Sequence, residues 1–180
     1  MKKVFSVIIA LIFIFSFSSC IKTEEPLKIV TITDIHFTGE NYFSYEGTFA
    51  EANESNGTGK QIKYIENIFD AFISEMLLEK PDYILITGDL VFNGAKVSHF
   101  ALKEKLQQLL DEGIKILVLP GNHDITGYAY SFPNGEPEVT ESLTPKEFRE
   151  IYSEFGYSGG VSYDENSLSY VYDTGKGTRI

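Results

Sequence analysis

The run Tyr83-Ile84-Leu85-Ile86-Thr87-Gly88-Asp89 decides the fold. Its first five residues favour extended backbone and are apolar enough to be buried on both faces, as strands of parallel sheets are. Gly88 permits a tight turn at the strand end, and that turn leaves the Asp89 carboxylate projecting from the sheet edge. On the N-terminal side, Pro81 closes a helix predicted from about Lys60 to Glu79. Ile62, Ile65, Phe69, Phe72, Ile73, Met76 and Leu77 fall at helical spacing there and read as core packing, not a cofactor pocket. Further out, Leu27 to Thr33 is rich in β-branched residues and reads as a strand. On the C-terminal side, a second helix is predicted from about Ser98 to Glu112, with Leu102, Leu106, Leu109 and Leu110 inward and Gly113 as its natural cap. Ile114 to Leu119 then reads as a third strand, stopped by Pro120.

Strand, helix, strand, helix, strand implies parallel strands joined by right-handed crossovers. Sites in such sheets form outside the carboxyl ends of the strands. Three polar motifs fall at that edge: Asp34-Ile35-His36, Gly88-Asp89 and Gly121-Asn122-His123-Asp124. Residues 37–59 show no periodicity and read as a long loop, and a loop of that length beside a ligand pair is more often functional than idle. Thr144-Pro145-Lys146-Glu147 has the form of a capping box with Pro at the first helical position, opening a short helix to about Phe155. Ser167 to Tyr172 alternates like a strand, and another is expected to begin near Ile180.

At 180 residues, 43% hydrophobic and 23% charged, the composition is that of one globular domain with a sizeable core. A formal charge of −11 excludes a general basic surface for nucleic acid or anionic lipid. It leaves a phosphate-bearing substrate open, because bound cations dominate a local field. The N-terminus reads as a targeting segment. Lys2 and Lys3 precede an apolar run from Val4 to Phe17, shorter than the roughly 20 residues a membrane span needs. The run ends in Phe17-Ser18-Ser19-Cys20, which resembles the lipobox of bacterial lipoproteins, although Phe17 replaces the usual aliphatic residue. Acylation at Cys20 would anchor the chain to a membrane in the cell envelope, with residues 20–26 as tether. The alternatives are an uncleaved signal anchor or a signal peptide with an incidental cysteine. With Cys20 the single cysteine, no intramolecular disulfide can form.

Asp34 and His36 lie two apart at a strand end, so extended geometry would point both side chains the same way and offer one cation an oxygen and a nitrogen. A lone D-x-H triplet is weak, Gly88-Asp89 alone would pass for a turn with a helix cap, and Gly-Asn-His-Asp could be a polar turn. Their order and context carry the weight. Thr31-Ile32-Thr33-Asp34-Ile35-His36, Ile86-Thr87-Gly88-Asp89-Leu90 and Leu119-Pro120-Gly121-Asn122-His123-Asp124 together resemble the calcineurin-like metallophosphoesterase family over about Lys28 to Asp124.

The resemblance implies an α/β fold, a layered β-sandwich flanked by helices (αββα), incomplete in this chain, with a calcineurin-like domain over residues 27–180. It implies a phosphoesterase acting on phosphate mono- or diesters through two divalent metal ions. Asp34 and His36 would bind the first metal, Asp89 would bridge the two, and Asn122 would reach the second. His123 would stand at the scissile phosphate and Asp124 would orient its imidazole. Two cations about 3.5–4 Å apart can hold a phosphate between them, and a bridging carboxylate keeps like charges that close. Mixed Asp, His and Asn ligation suits Mn, Fe or Zn better than calcium.

Members of the family take further metal-ligating histidines from later in the domain, including a Gly-His-x-His motif. No histidine follows His123 here, so the chain reads as the N-terminal portion of a longer protein. His99 is expected to be a surface or capping residue, and Asn93-Gly94 a turn. Phe43, Tyr45, Tyr128 and Tyr130 are candidates for shaping a pocket around the ester group. Two other readings compete: an inactive lipoprotein retaining only a binding role, and a lipoprotein for sugars or peptides. The second leaves the Asp34, His36, Asp89 and Asn122 constellation unexplained.

Overall fold

The structure is a computed structural model that describes residues 26–39, 41–55 and 59–180. Cys20 and the targeting segment lie outside the described residues. Three parallel strands make the central sheet: β1 (Ile29–Ile32), β2 (Tyr83–Thr87) and β3 (Lys115–Leu119), in the order β1-β2-β3. The register pairs Ile32 with Ile86 and Thr87 with Leu119. The three carboxyl ends are therefore level, and the motif that follows each strand starts from one edge.

Among the described residues, four α-helices accompany the sheet: α1 (Gly47–Ser55), α2 (Ile65–Glu79), α3 (Lys96–Asp111) and α4 (Pro145–Ile151). Phe69, Ile73 and Met76 of α2 and Leu102, Leu106 and Leu109 of α3 form one buried cluster with Ile84, Ile86, Ile116 and Val118 of the sheet. Burying each such side chain contributes about 1.5–3 kcal/mol, far more than the helices' own propensity supplies. The predicted start of α2 is instead a 3-10 turn, Ile62–Tyr64. The helix ends at Lys80, whose φ of 44° turns the chain before Pro81. Gly113, with φ 84°, follows α3, and its N–H bonds to the Leu110 carbonyl at 2.8 Å.

Two sequence expectations change here. Residues 37–59 do not form a bare loop, because they contain α1. That helix buries only Phe49, and its amphipathic signal is weak. It forms because a distant hairpin, β4 (Ala129–Ser131) with β5 (Glu138–Thr140), satisfies its first turn. The Phe49 N–H donates to the Gly135 carbonyl at 2.9 Å, and the Thr48 hydroxyl donates to Glu136 Oε2 at 2.9 Å. The capping box at Thr144 forms as expected, with Thr144 Oγ1 accepting from the Glu147 N–H at 3.2 Å and Glu147 Oε2 accepting from the Thr144 N–H at 2.9 Å. The helix it opens is shorter than expected, ending at Ile151.

A second antiparallel pair, β6 (Gly160–Tyr163) with β7 (Tyr170–Tyr172), contacts β2 and β3. Tyr172 lies edge-on to Tyr83 at 5.9 Å, and the Tyr170 hydroxyl donates to the Val118 carbonyl at 3.2 Å. Ile29 and Leu119, on the sheet face that carries Tyr83, stay 39% and 36% exposed. The result is a mixed α/β fold built on a three-stranded parallel sheet.

Candidate metal centre

The first two motifs leave their strands through backbone that side chains rarely adopt. Asp34, His36 and Asp89 have φ of 55°, 51° and 44°. The left-handed region costs a non-glycine residue about 1–3 kcal/mol and persists only where surroundings over-determine it. The expectation that Asp34 and His36 align because the strand is extended is therefore corrected: β1 ends at Ile32, and two left-handed residues aim the pair. The surroundings that fix them are hydrogen bonds carrying the parallel ladder beyond the strands. The Asp34 N–H donates to Gly88 O at 3.1 Å, His36 N–H to Asp89 O at 2.9 Å and Phe37 N–H to Leu90 O at 3.0 Å. Gly88, with φ 86°, donates its N–H to Leu119 O at 2.9 Å, tying in the third strand.

This geometry brings Asp34, His36 and Asp89 together, with one ligand atom from each lying within 4.8 Å of the others. Asp34 is exposed, whereas His36 and Asp89 are buried. Burial, with Lys60 next, holds the His36 imidazole down at about 4 against the raising pull of Asp89. His36 is thus neutral at physiological pH, so its 3.7 Å approach of Nε2 to Asp89 Oδ2 is no ion pair. Its Nδ1 is buried and finds no hydrogen-bond partner among the described residues. An orphaned imidazole nitrogen costs free energy unless something fills the role. Two carboxylates beside an uncharged imidazole are a donor set that fits a divalent cation of the Mn, Fe or Zn kind.

The third motif closes over Asp89. The His123 N–H donates to Asp89 Oδ1 at 2.9 Å, and the His123 ring stands edge-on to His36 with centroids 5.1 Å apart. Gly121 makes this approach possible, because a Cβ there would fall under 3.0 Å from both the Asp89 N and Oδ1. Asn122 lies exposed on the turn between those two residues. Asp124 is fully buried, and its carboxylate accepts the N–H groups of Gly121 at 2.6 Å, Val91 at 2.9 Å and Leu90 at 3.1 Å. Burial pushes this carboxyl up to about 6 in spite of those bonds. Its oxygens face backbone amides, so these contacts pin two turns together, and none of them is to the His123 imidazole.

His99 is corrected more sharply. Far from the surface, it is 0% exposed, with Nδ1 3.0 Å from the Tyr152 hydroxyl and Nε2 3.2 Å from the Asp124 carbonyl oxygen. One sequence signal was available: His99 stands three residues before Leu102, on the same inner stripe of α3. Phe43 is also reassigned, from pocket wall to the core of a small aromatic cluster with Phe49 and Ile62, against which Tyr45, Phe92 and Phe132 pack. Phe92 connects that cluster to the site, lying edge-on to His36 at 6.5 Å. Tyr128 and Tyr130 remain exposed. Asn93, with φ 56°, and Gly94 form the expected turn before α3.

Residues 27–178 match the family described as calcineurin-like phosphoesterase, and the chain belongs to that family. Two curated relatives share part of it. A 101-residue stretch is 31% identical to a probable cyclic nucleotide phosphodiesterase of Coxiella burnetii, covering 56% of this chain and 33% of that protein. A 115-residue stretch is 27% identical to an uncharacterized protein of Schizosaccharomyces pombe, covering 58% of this chain and 19% of that protein. The matched stretches thus span a third or less of these relatives' length. The family is one of phosphoesterases that use divalent metals.

Proposed function

We propose that this chain hydrolyses phosphate mono- or diesters at a two-cation centre held by Asp34, His36, Asp89 and Asn122, with Asp89 between the cations. The observation that carries the reading is the convergence of Asp34, His36 and Asp89 within 4.8 Å at one sheet edge. Bound cations would supply the charge that gathers phosphate oxygens and activates the attacking water. The chain's own residues do the rest. Asp89 Oδ1 holds the His123 amide while Oδ2 faces His36, so one carboxylate ties the ligand group to the turn that carries Asn122 and His123. Burial keeps the His36 imidazole uncharged and able to ligate. The His123 ring beside it is placed to give a hydrogen bond or proton to the leaving oxygen.

The printed name of the Coxiella relative makes a cyclic nucleotide the first substrate to try. Acylation at Cys20, read from the sequence, would tether the activity to the cell envelope. The test is hydrolysis of 3′,5′-cyclic AMP and bis(p-nitrophenyl) phosphate with Mn²⁺ and with a chelator. Mn²⁺-dependent turnover of either ester supports the reading. Mn²⁺ binding with no turnover of either would transfer the lead to a binding role.

A further inference from the structure

The buried pair His99 and Tyr152 belongs to no part of the proposed chemistry, yet it ends on the Asn122-His123 turn. His99 lies on α3 and Tyr152 caps the end of α4. Both are fully buried, and Phe148 stands edge-on to the imidazole with centroids 5.7 Å apart. The hydrogen-bond chemistry favours one arrangement, because the other acceptor within reach of the Tyr152 hydroxyl, the His99 carbonyl, lies farther off at 3.5 Å. A carbonyl oxygen only accepts, so the Nε2 that faces Asp124 O at 3.2 Å must carry the proton. Nδ1 is then a bare lone pair and accepts the Tyr152 O–H at 3.0 Å. Burial holds the ring down at about 4, so this neutral tautomer is the state at physiological pH. The direction of the relay is thereby fixed: Tyr152 O–H to His99 Nδ1, His99 Nε2–H to Asp124 O.

Asp124 hands the constraint on in two ways. Its carboxylate grips the amides of Leu90 and Val91, directly after Asp89, and of Gly121, directly before Asn122. Its carbonyl is held by His99 from the core side. We propose that His99 is a positioning residue, which with Tyr152 and Asp124 sets the turn bearing Asn122 and His123 against Asp89. The inference rests on the metal-centre reading for its consequence, and on the hydrogen bonds alone for its structural content.

The test compares the whole chain with its His99→Gln, His99→Leu and Tyr152→Phe variants. Gln keeps an N–H donor for the Asp124 carbonyl, whereas Leu fills the space and keeps no hydrogen bond. The first readout is amide exchange in metal-free chain at Gly121, His123 and Asp124, taken relative to Ile86 and Val118 in the sheet. The second is Mn²⁺ affinity by titration calorimetry. Removing an outer residue that orients metal ligands costs about 10–100-fold in affinity. His99→Leu is expected to speed exchange selectively at the turn and to weaken Mn²⁺ by about tenfold, with His99→Gln close to the parent. If His99→Leu does not fold, Tyr152→Phe carries the test: it removes one hydroxyl and should loosen the same amides. Exchange that rises uniformly across sheet and turn, or Gln and Leu variants that behave alike, would show His99 to be core filling only. Absence of Mn²⁺ binding in the parent chain would fail the metal-centre reading, while the exchange arm still decides the positioning role.

Discussion

Gly121→Ala is the sharpest perturbation of the site, because a single methyl group is aimed at Asp89. Gly121 does not have a positive φ, so alanine meets no conformational penalty there. Its Cβ would nevertheless fall under 3.0 Å from the Asp89 amide nitrogen and Oδ1 and at 3.0 Å from Cγ. Backbone and carboxylate cannot swing away as a long side chain would, so the β2 and β3 turns must part. Overpacking of this kind costs about 1–3 kcal/mol. The same displacement moves Asp89 relative to Asn122 and His123, and a misplacement of about 1 Å costs about 10²-fold in rate. Gly113→Ala supplies the control. Gly113 has φ 84°, and a methyl group added to it would meet nothing within 4 Å, so alanine there brings strain without a clash. Its expected cost is about 1 kcal/mol in stability, with no effect on metal affinity. Thermal denaturation and Mn²⁺ titration of both variants separate the cases. A Gly121→Ala chain that binds Mn²⁺ as tightly as the parent would refute the contact between the two turns.

Acid should destabilise the metal-free chain. His36 and His99 sit at about 4 and Asp124 at about 6, all chiefly through burial. Between pH 6.5 and 4 the unfolded chain takes up two imidazole protons that the folded chain refuses, which lowers stability. The folded chain takes up the Asp124 proton earlier than the unfolded one, which returns part of it. A hundredfold change in proton affinity corresponds to about 3 kcal/mol, so the net loss is on the order of 3 kcal/mol, read from urea melts at pH 7 and 4.5; stability that is flat or rises with acid would contradict it. His123→Ala should slow turnover while leaving metal content near the parent's, measured by metal analysis beside initial rates; equal loss of both would move His123 into the ligand set. Thr144→Ala should cost about 1 kcal/mol by removing the helix cap, with Mn²⁺ affinity unchanged.

The order of strands, the inner faces of α2 and α3, and the edge at which the motifs gather were legible because apolar periodicity and punctuation by Gly and Pro are local signals. The convergence of Asp34, His36 and Asp89 was legible from the order and context of the motifs together. What the sequence did not reveal depends on distant partners. α1 carries little amphipathic pattern and forms because Gly135 and Glu136 meet its first turn. The left-handed backbone at Asp34, His36 and Asp89 is imposed by bonds between strands far apart in the chain, which no triplet of letters encodes. His99 looked like a surface residue because histidine is seldom fully buried; Tyr152 and the Asp124 carbonyl, which satisfy both of its nitrogens, come from later in the chain. Asp124 likewise read as a partner for an imidazole, while its actual partners are three amides.

The central claim is that Asp34, His36 and Asp89 form a divalent-cation site. Titration calorimetry of Mn²⁺ into the chain and into Asp89→Ala tests it most directly. The parent chain is expected to bind Mn²⁺ saturably, and Asp89→Ala to lose that binding along with turnover of the ester. Equal Mn²⁺ binding by the two would contradict it.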